Sequence, residues 1–297
     1  MKALKEKIAL PRGESFRVIQ WKNNLREVES VGADGKVDLV TGEGTHWHYH
    51  SEMELTLFLA GGGTRFVGDH IGAFGAGDLV LLGEGLPHYW NAEGESAGIS
   101  LQWNFPRGHS FWNFPESQLL NEVFRRAGRG ILVTGKTEKN LASRMGEIVN
   151  GSGIGRLGML LGLFGALAEM PTRTMKQLSV KPFSLEVGSS YQRAIGEAMR
   201  YLVANFREEL RLEELLKITA MSRPTFSRQF RNHTGRSFSE FLLKLRLEAA
   251  CRELLETKKT VLEISYASGF GQISFFNRSF RKSMGCSPSE FRLRPAG

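Results

Sequence analysis

The last third of this chain contains one sequence twice. Residues 226–243 and 276–293 align without a gap at an offset of 50 residues, and ten of the eighteen aligned positions are identical. A repeat of this size indicates one supersecondary unit that is used twice. Because the unit sets arginines between phenylalanines such as Phe226 and Phe230, it predicts two similar surfaces for a partner that is itself periodic. Double-stranded DNA is such a partner.

The charge of the chain is unevenly spread. Residues 1–170 carry 17 Lys and Arg against 19 Asp and Glu, a net charge of −2, whereas residues 171–297 carry 22 against 12, a net charge of +10. A basic half that also holds the repeat favours a phosphate backbone as its partner. Charge alone leaves a generic basic surface equally open.

The remaining composition indicates a cytoplasmic chain that does not enter a membrane. Met1–Leu10 is charged and has no apolar run, so we expect no secretion signal. The most apolar stretch, Leu157–Ala168, is too short to span a bilayer and reads as a buried helix. Two lone cysteines, Cys251 and Cys286, fit a reducing compartment better than a disulfide framework.

The pattern of apolar residues predicts an α+β chain of several domains. Between residues 16 and 103, short apolar runs alternate with glycines, which is typical of an antiparallel sandwich or barrel. Helical spacing begins near residue 115 and continues to 170, and these helices either pack on the β domain or form a dimer contact. We therefore predict a β domain with helices over 1–170, a linker over 171–190 and an all-helical domain over 191–297.

The repeat predicts two helix-turn-helix units. Leu212–Ile218 is a short helix, and Ser222 is a good N-cap for the helix that follows it. After a long helix over Phe238–Glu256, Val261–Ser268 and Gly271–Lys282 repeat the arrangement. A connecting helix of this length would bring both second helices into successive major grooves.

The spacing of the phenylalanines assigns the faces of these second helices. Phe226, Phe230, Phe276 and Phe280 face the core, which leaves a polar and basic face outward. The outward residues are Arg223, Thr225, Ser227, Arg228 and Arg231 in the first unit and Gln272, Ser274, Asn277, Arg278, Arg281 and Lys282 in the second. We expect Arg228, Gln272, Asn277 and Arg278 to contact base edges. Arg231, Arg281 and Lys282 are expected at phosphates.

Three stretches of this half resemble the AraC/XylS family of transcription regulators. They are Ile264–Phe270, Phe276–Lys282 and Gly285–Arg292, and the resemblance extends over about residues 191–294. It implies a bacterial protein with a paired helix-turn-helix domain that controls transcription at a promoter, where RNA polymerase is a further partner. The resemblance leaves activation and repression equally open. Arg223-Pro224 is an unusual opening for the first recognition helix of this family, so its base contacts are less well defined.

A histidine pattern lies in the β domain. His48, His50 and Glu54 fall on one face of a strand by their spacing, and His88 follows in a second glycine-rich run. Imidazole and carboxylate groups together suit zinc, manganese, iron or nickel. Trp90 shares a face with His88 and could stack on a sugar ring, although a place in the core is equally compatible with the pattern.

The two runs, Gly42–Gly61 and Gly77–Asn91, resemble the two cupin motifs. The first matches throughout, and the second departs from the pattern because Gly83 stands where proline is usual and Asn91 is one residue early. The resemblance implies a cupin-like N-terminal β-barrel. It also implies His48, His50, Glu54 and His88 as ligands of a divalent transition metal; the alternative is a metal-free pocket for a small molecule.

Three functions are compatible with these features. The first is a homodimeric, non-enzymatic transcription regulator whose barrel binds a small-molecule effector such as a carbohydrate. The second is a metal-dependent cupin enzyme, an oxygenase or isomerase, fused to a DNA-binding domain. The third is a structural DNA-binding protein without an effector, which the histidine-bearing barrel disfavours.

Overall fold

A computed structural model describes residues 6–41, 44, 46–181, 183 and 191–293. Its described residues divide into two compact units: the first comprises those up to residue 70 and from 74 to 183, and the second comprises 71–73 and 191–293. The predicted fold class is confirmed, since the first unit is rich in antiparallel sheet and the second is helical. No helix in the described ranges combines the length and hydrophobicity that a membrane crossing requires.

Eleven described strands build the first unit. They are β1 (Phe16–Trp21), β2 (Glu27–Val31), β3 (Val37–Thr41), β4 (Met53–Ala60), β5 (Gly63–Val67), β6 (His70–Phe74), β7 (Leu79–Leu82), β8 (His88–Ala92), β9 (Ala97–Trp103), β10 (Ile131–Val133) and β11 (Met175–Gln177). One antiparallel sheet has the order β11-β10-β7-β4-β9-β1-β2-β3, and a smaller one has the order β6-β5-β8.

Strand alternation gives the large sheet two different faces. Leu55 and Leu57 of β4 point into a core that is shared with the helices. Phe58, on the opposite face, joins a second core to which the small sheet contributes Val67 and Trp90. The two sheets therefore pack face to face, and alternate residues of β4, among them Glu54, point between them.

The helices of the first unit cover the outer face of the large sheet. They are α1 (Asn121–Ala127), α2 (Lys136–Asn150) and α3 (Gly153–Ala168), preceded by 3₁₀ turns at Ser110–Asn113 and Pro115–Leu120. Leu141, Met145 and Ile148 of α2 are fully buried, as their spacing predicts. Leu161 of α3 shares the helical spacing of its apolar neighbours but is exposed. Because α3 is apolar all round, its periodicity marks more positions than its neighbours cover.

The segment predicted as a linker, 171–190, contains a short strand. Met175–Gln177 forms β11, which pairs with β10, and Leu178 and Ser179 are buried behind it. The unpaired backbone groups at a sheet edge can pair with an extended segment of almost any sequence. The side chains of a short polar edge strand therefore give little indication that it is a strand. Residues 182 and 184–190 lie outside the described residues.

The second unit is helical throughout its described length. It contains α4 (Tyr191–Asn205), α5 (Leu212–Thr219), α6 (Arg223–Thr234), α7 (Phe238–Glu256), α8 (Val261–Ala267), α9 (Ile273–Met284) and α10 (Pro288–Arg292). The helix predicted over Gly271–Lys282 is α9, which begins and ends two residues later. Gln272 is thus the N-cap residue rather than part of the helix. The helix ends at Gly285 with φ of 72°, as α6 ends at Gly235 with the same φ.

A buried arginine ties the helical layer of the first unit to its sheet. Arg156 of α3 is 1% exposed. Its Nε donates to the carbonyl oxygen of Ile148 at 3.1 Å, its Nη2 to that of Val31 at 2.7 Å, and its Nη1 to Glu14 Oε2 at 3.2 Å. One side chain thus binds two backbone carbonyls, from α2 and β2, and the carboxylate of Glu14 in the segment before β1.

Replacement of Arg156 by alanine should lower the free energy of unfolding of the first unit by about 3–5 kcal/mol, because it leaves buried acceptors and a carboxylate without their donor. Urea denaturation followed by tryptophan fluorescence measures this change selectively, since all five tryptophans lie in the first unit. Arg144→Ala on α2, which removes only a local bond to Asn140, is the matched control. Equal free energies of unfolding for the two variants would show that the hydrogen bonds of Arg156 do not stabilise the first unit.

Candidate nucleic-acid interface and histidine pocket

The first recognition helix, α6, is set by its cap and by two buried rings. The Ser222 hydroxyl accepts the backbone N–H of Thr225, and Phe226 and Phe230 are completely buried. These rings turn the opposite face outward. Of the predicted contact residues in α6, Arg223, Ser227, Arg228 and Arg231 are exposed, whereas Thr225 is half-buried with its hydroxyl 2.9 Å from that of Ser222.

The second recognition helix, α9, repeats this construction. Phe276 and Phe280 are completely buried. Its predicted contact residues Ser274, Asn277, Arg278, Arg281 and Lys282 are exposed on the helix, and Gln272 is exposed at the N-cap position. The structure therefore places each group on one outward face of its own helix.

Both recognition helices are free of acidic residues. Neither Arg223–Thr234 nor Ile273–Met284 contains Asp or Glu, so each outward face is positive. Arg231 is bonded to Glu240 on α7 at 3.4 Å, but both side chains are largely exposed and such a pair is easily exchanged for another anion. The remaining guanidinium, amide and hydroxyl groups match the acceptors of phosphates and the edges of bases.

Sequence reasoning missed one exposed aromatic residue on α9. Phe275 is 43% exposed, although it directly precedes the buried Phe276. The side chains of two adjacent residues in a helix point about 100° apart, so Phe275 and Phe276 cannot both face the core. That mismatch is the signal that could have identified Phe275.

The histidine pattern of the β domain comes together between the two sheets. Nitrogens of His48, His50 and His88 lie within 4.8 Å of one another, and all three side chains are buried. His48 and His88 are joined by two backbone hydrogen bonds, of 3.1 and 2.8 Å. Glu54 Oε2 lies 3.1 Å from His50 Nε2 and 3.9 Å from His88 Nε2. Gly42, the first residue of the motif, lies outside the described residues.

Backbone carbonyls orient the three rings. Nδ1 of His48 lies 2.7 Å from the carbonyl oxygen of His46, that of His50 lies 3.0 Å from Glu52, and that of His88 lies 2.8 Å from Leu86. Since a carbonyl only accepts, each Nδ1 carries the proton and donates it. With Nδ1 occupied in this way, Nε2 is the nitrogen that each ring can offer to a metal ion, and without a metal the Nε2 of His50 can carry a proton and donate it to Glu54 Oε2 at 3.1 Å.

The protonation of this cluster is uneven. Burial lowers the pKa of His50, but the hydrogen bond that its Nε2 donates to Glu54 and the charges of Glu54, Glu52 and Glu6 raise the pKa above its ordinary value overall. Burial, together with the charge of His48, keeps the pKa of His88 well below its usual range. Although burial raises the pKa of Glu54, the hydrogen bond with His50 and the charge of His88 hold it far below normal. An ionised carboxylate thus faces the three imidazoles, and the pKa of His50 and that of His88 are shifted in opposite directions.

Two residues that sequence reasoning did not select complete the surroundings. Gln102 Nε2 donates to Glu54 Oε2 at 2.9 Å, and Glu6 Oε2 lies 3.5 Å from His48 Nε2. Gln102 belongs to β9, which pairs with β4, and only this pairing brings it beside Glu54. Neither position belongs to a local motif, so spacing along the chain could not reveal them.

The cavity beside this cluster is small. It encloses about 50 Å³, and its lining combines His48, Glu54 and Trp90 with further polar and apolar side chains, among them Gln102 and Ile19. Organic ligands usually need about 300–1,000 Å³. Trp90 is buried and packs against Phe58 and Phe74, so it lines the wall rather than offering a free face to a sugar ring.

A larger cleft lies on the same unit beside α1. It encloses about 720 Å³. Its lining includes the aromatic rings of Phe105, Trp112 and Phe124 together with the side-chain amides of Asn104, Gln118 and Asn121. Aromatic faces with amide donors and acceptors are a common way of binding polar organic rings.

Comparison with known proteins concerns mainly the second unit. Residues 215–294 match a family model described as "Helix-turn-helix domain". The HTH-type transcriptional activator RhaS of Enterobacter sp. (strain 638) is 34% identical over 98 residues, which cover 33% of this chain and 35% of that protein. The chain thus matches about a third of the length of such relatives.

Two further similarities differ in extent. The Msm operon regulatory protein of Streptococcus mutans serotype c (strain ATCC 700610 / UA159) is 22% identical over 240 residues, covering 80% of this chain and 83% of that one. The DNA-binding domain of AdpA, whose structure was solved in complex with a target DNA, is 29% identical with a TM-score of 0.34, covering 35% of this chain and 98% of the other. The sequence matches confirm the resemblance noted above for the C-terminal half.

Proposed function

We propose that this chain, which belongs to the AraC/XylS family through its C-terminal half, is a sequence-specific DNA-binding regulator of transcription. The observation that carries the proposal is the pair of recognition helices. Each buries two phenylalanines and turns an acid-free face with several arginines outward. Two relatives, a transcriptional activator and an operon regulatory protein, support the same function.

The partners follow from this function. A promoter is the DNA target, and RNA polymerase is the partner through which an activator acts. The protein works in the cytoplasm, where a bacterial chromosome is accessible. The domain division that we propose is a sensing unit over 1–170, extended by the strand at residues 175–177, and a DNA-binding unit over 191–297.

A divalent metal ion is the ligand that we propose for the histidine pocket. His48, His50 and His88 each bring one ring nitrogen within 4.8 Å of the others, and Glu54 supplies the carboxylate. Three imidazoles and one carboxylate suit zinc, manganese, iron or nickel. We assign this site to sensing or stability rather than to catalysis, because a cavity of about 50 Å³ leaves space for an ion and a few waters but not for an organic substrate.

The organic effector belongs in the larger cleft of the first unit. Its volume lies in the range of small-molecule sites, and its aromatic and amide lining suits a carbohydrate. Such a ligand would change the affinity of the protein for DNA only if it binds one conformation of the protein more tightly than another. The fluorescence of Trp112, whose ring lines the cleft, reports on its occupancy.

Homodimerisation through α3 is the assembly that we propose. Ile154 and Leu161 are 83% and 48% exposed on this apolar helix. Gly155, Gly158 and Gly165 leave open space on the helix surface, so a second backbone can approach closely. A second copy of the chain offers the same apolar surface, as a two-fold interface requires.

DNA binding should be sequence-selective and should depend on both recognition helices. A duplex selected from a random library by the full chain should bind more tightly than a scrambled duplex at physiological salt. Arg228→Ala and Arg278→Ala should each weaken binding about 5- to 150-fold and relax the preference at one position, the usual effect of a lost base contact. Lys282→Ala should weaken binding to all duplexes alike. It should also reduce the number of counterions released on binding, as read from the salt dependence of the affinity, by about one.

Fluorescence anisotropy over a salt series measures these effects. Arg193→Ala is the matched control, because Arg193 is an exposed arginine of α4 paired with Glu197 outside the recognition helices. Equal affinity of the wild-type protein for selected and scrambled DNA would contradict the proposed function.

Metal binding should require the histidine cluster. After equilibrium dialysis with Zn²⁺ or Mn²⁺, the wild-type chain should retain about one ion, and His50→Ala or His88→Ala should lower the affinity by at least about 10-fold. Elemental analysis measures the content, and His109→Ala, at an exposed histidine, is the control. If His50→Ala and His88→Ala keep the wild-type metal content, the pocket is not a metal site.

Dimerisation should depend on the outward face of α3. Leu161→Glu places a charge at the proposed interface and should convert dimers to monomers in analytical ultracentrifugation of the full chain. Leu59→Glu changes an equally apolar, exposed residue at the end of β4 and should leave the dimer intact. A wild-type protein that sediments as a monomer at micromolar concentrations would refute this arrangement.

A further inference from the structure

Phe275 is an aromatic ring that the core does not use. It lies in the first turn of α9 and is 43% exposed, while Phe276 and Phe280 complete the hydrophobic core on the inner face. On the helical wheel it lies beside Arg278 and Lys282, at the border of the polar face. An apolar ring therefore stands among the residues expected to approach DNA.

The ring is held in place rather than free to move. Its centroid lies 6.2 Å from that of the buried Phe270. On the outer side, the guanidinium carbon of Arg278 lies 5.9 Å from the Phe275 centroid, within the range of a cation–π contact. A side chain that is already ordered loses little entropy when it forms a contact.

The internal repeat gives this position a counterpart. At the offset of 50 residues, Phe275 corresponds to Thr225 of α6, and Arg278 corresponds to Arg228. Both recognition helices therefore present a residue with apolar carbon three positions before an arginine. Phenylalanine and the methyl group of threonine are side chains that contact the 5-methyl group of thymine in the major groove.

We propose that Phe275 reads a thymine through its 5-methyl group, next to the base contacted by Arg278. This inference rests on the proposed function of the chain as a sequence-specific DNA-binding protein. The arginine is placed to bond to a guanine edge, and the ring beside it covers the methyl group of the neighbouring base pair. Phe275 is thus a specificity-determining residue of α9 that acts by apolar contact.

Deoxyuridine, which is thymine without its methyl group, provides the test. The duplex selected by the full chain is made with each thymine replaced singly by deoxyuridine, and the affinities are measured by anisotropy. One replacement should weaken binding of the wild-type protein about fourfold, as expected when one methyl group is withdrawn from an apolar contact. Phe275→Ala should bind the unmodified duplex more weakly and should lose its sensitivity to that same replacement.

Two further variants separate this contact from a loss of folding. Phe275→Leu keeps an apolar side chain and should retain part of the sensitivity to deoxyuridine. Phe114→Ala removes an exposed phenylalanine of the first unit and should behave as wild type. The melting of each variant by circular dichroism identifies any that is unfolded.

The outcomes distinguish the two levels of the proposal. If selection enriches a sequence but no deoxyuridine weakens the wild-type protein, or if Phe275→Ala keeps the same sensitivity, Phe275 does not read thymine. If selection enriches no sequence at all, the proposed function fails and this inference fails with it.

Discussion

The second unit depends on the burial of four phenylalanine rings. Phe226 and Phe230 in α6, and Phe276 and Phe280 in α9, have no exposed surface. Each pair is four residues apart, so it fixes the rotation of its helix about the helix axis. Once this rotation is fixed, the arginines between and beside the rings must lie on the outward face of the helix. The hydrophobic effect thereby positions the charged groups without any bond to them.

Hydrogen bonds at the helix ends fix the other degree of freedom, the position along the axis. Ser237 with Glu240 and Ser287 with Glu290 form the same capping box at the start of α7 and α10. Gly235 and Gly285, which lie two residues before these serines and have left-handed φ angles, end the preceding recognition helices. As a result, the two recognition helices have the same length, and the repeat in the sequence is also a repeat in the structure.

Sequence could predict those features that depend on neighbours along the chain. The caps, the buried rings and the arginine faces follow local spacing, and so do the strands over residues 54–60 and 79–82. It could not predict β11 or Gln102 beside Glu54, because both arise from strand pairing between distant segments. The start of α9 was misplaced because Gln272 has no capping side-chain bond that would mark it.

The two copies of the repeat differ where a difference matters for recognition. The buried rings, the terminal glycines, the capping boxes and the arginine pairs are identical in both copies. The exposed position 227 is serine where 277 is asparagine, and 225 is threonine where 275 is phenylalanine. Since the scaffold is the same and the outward groups differ, each helix offers a different pattern of donors, acceptors and apolar carbon to the major groove. Under the proposed function, one chain would therefore read two unlike sequences, and a single protomer would impose a direction on its DNA site.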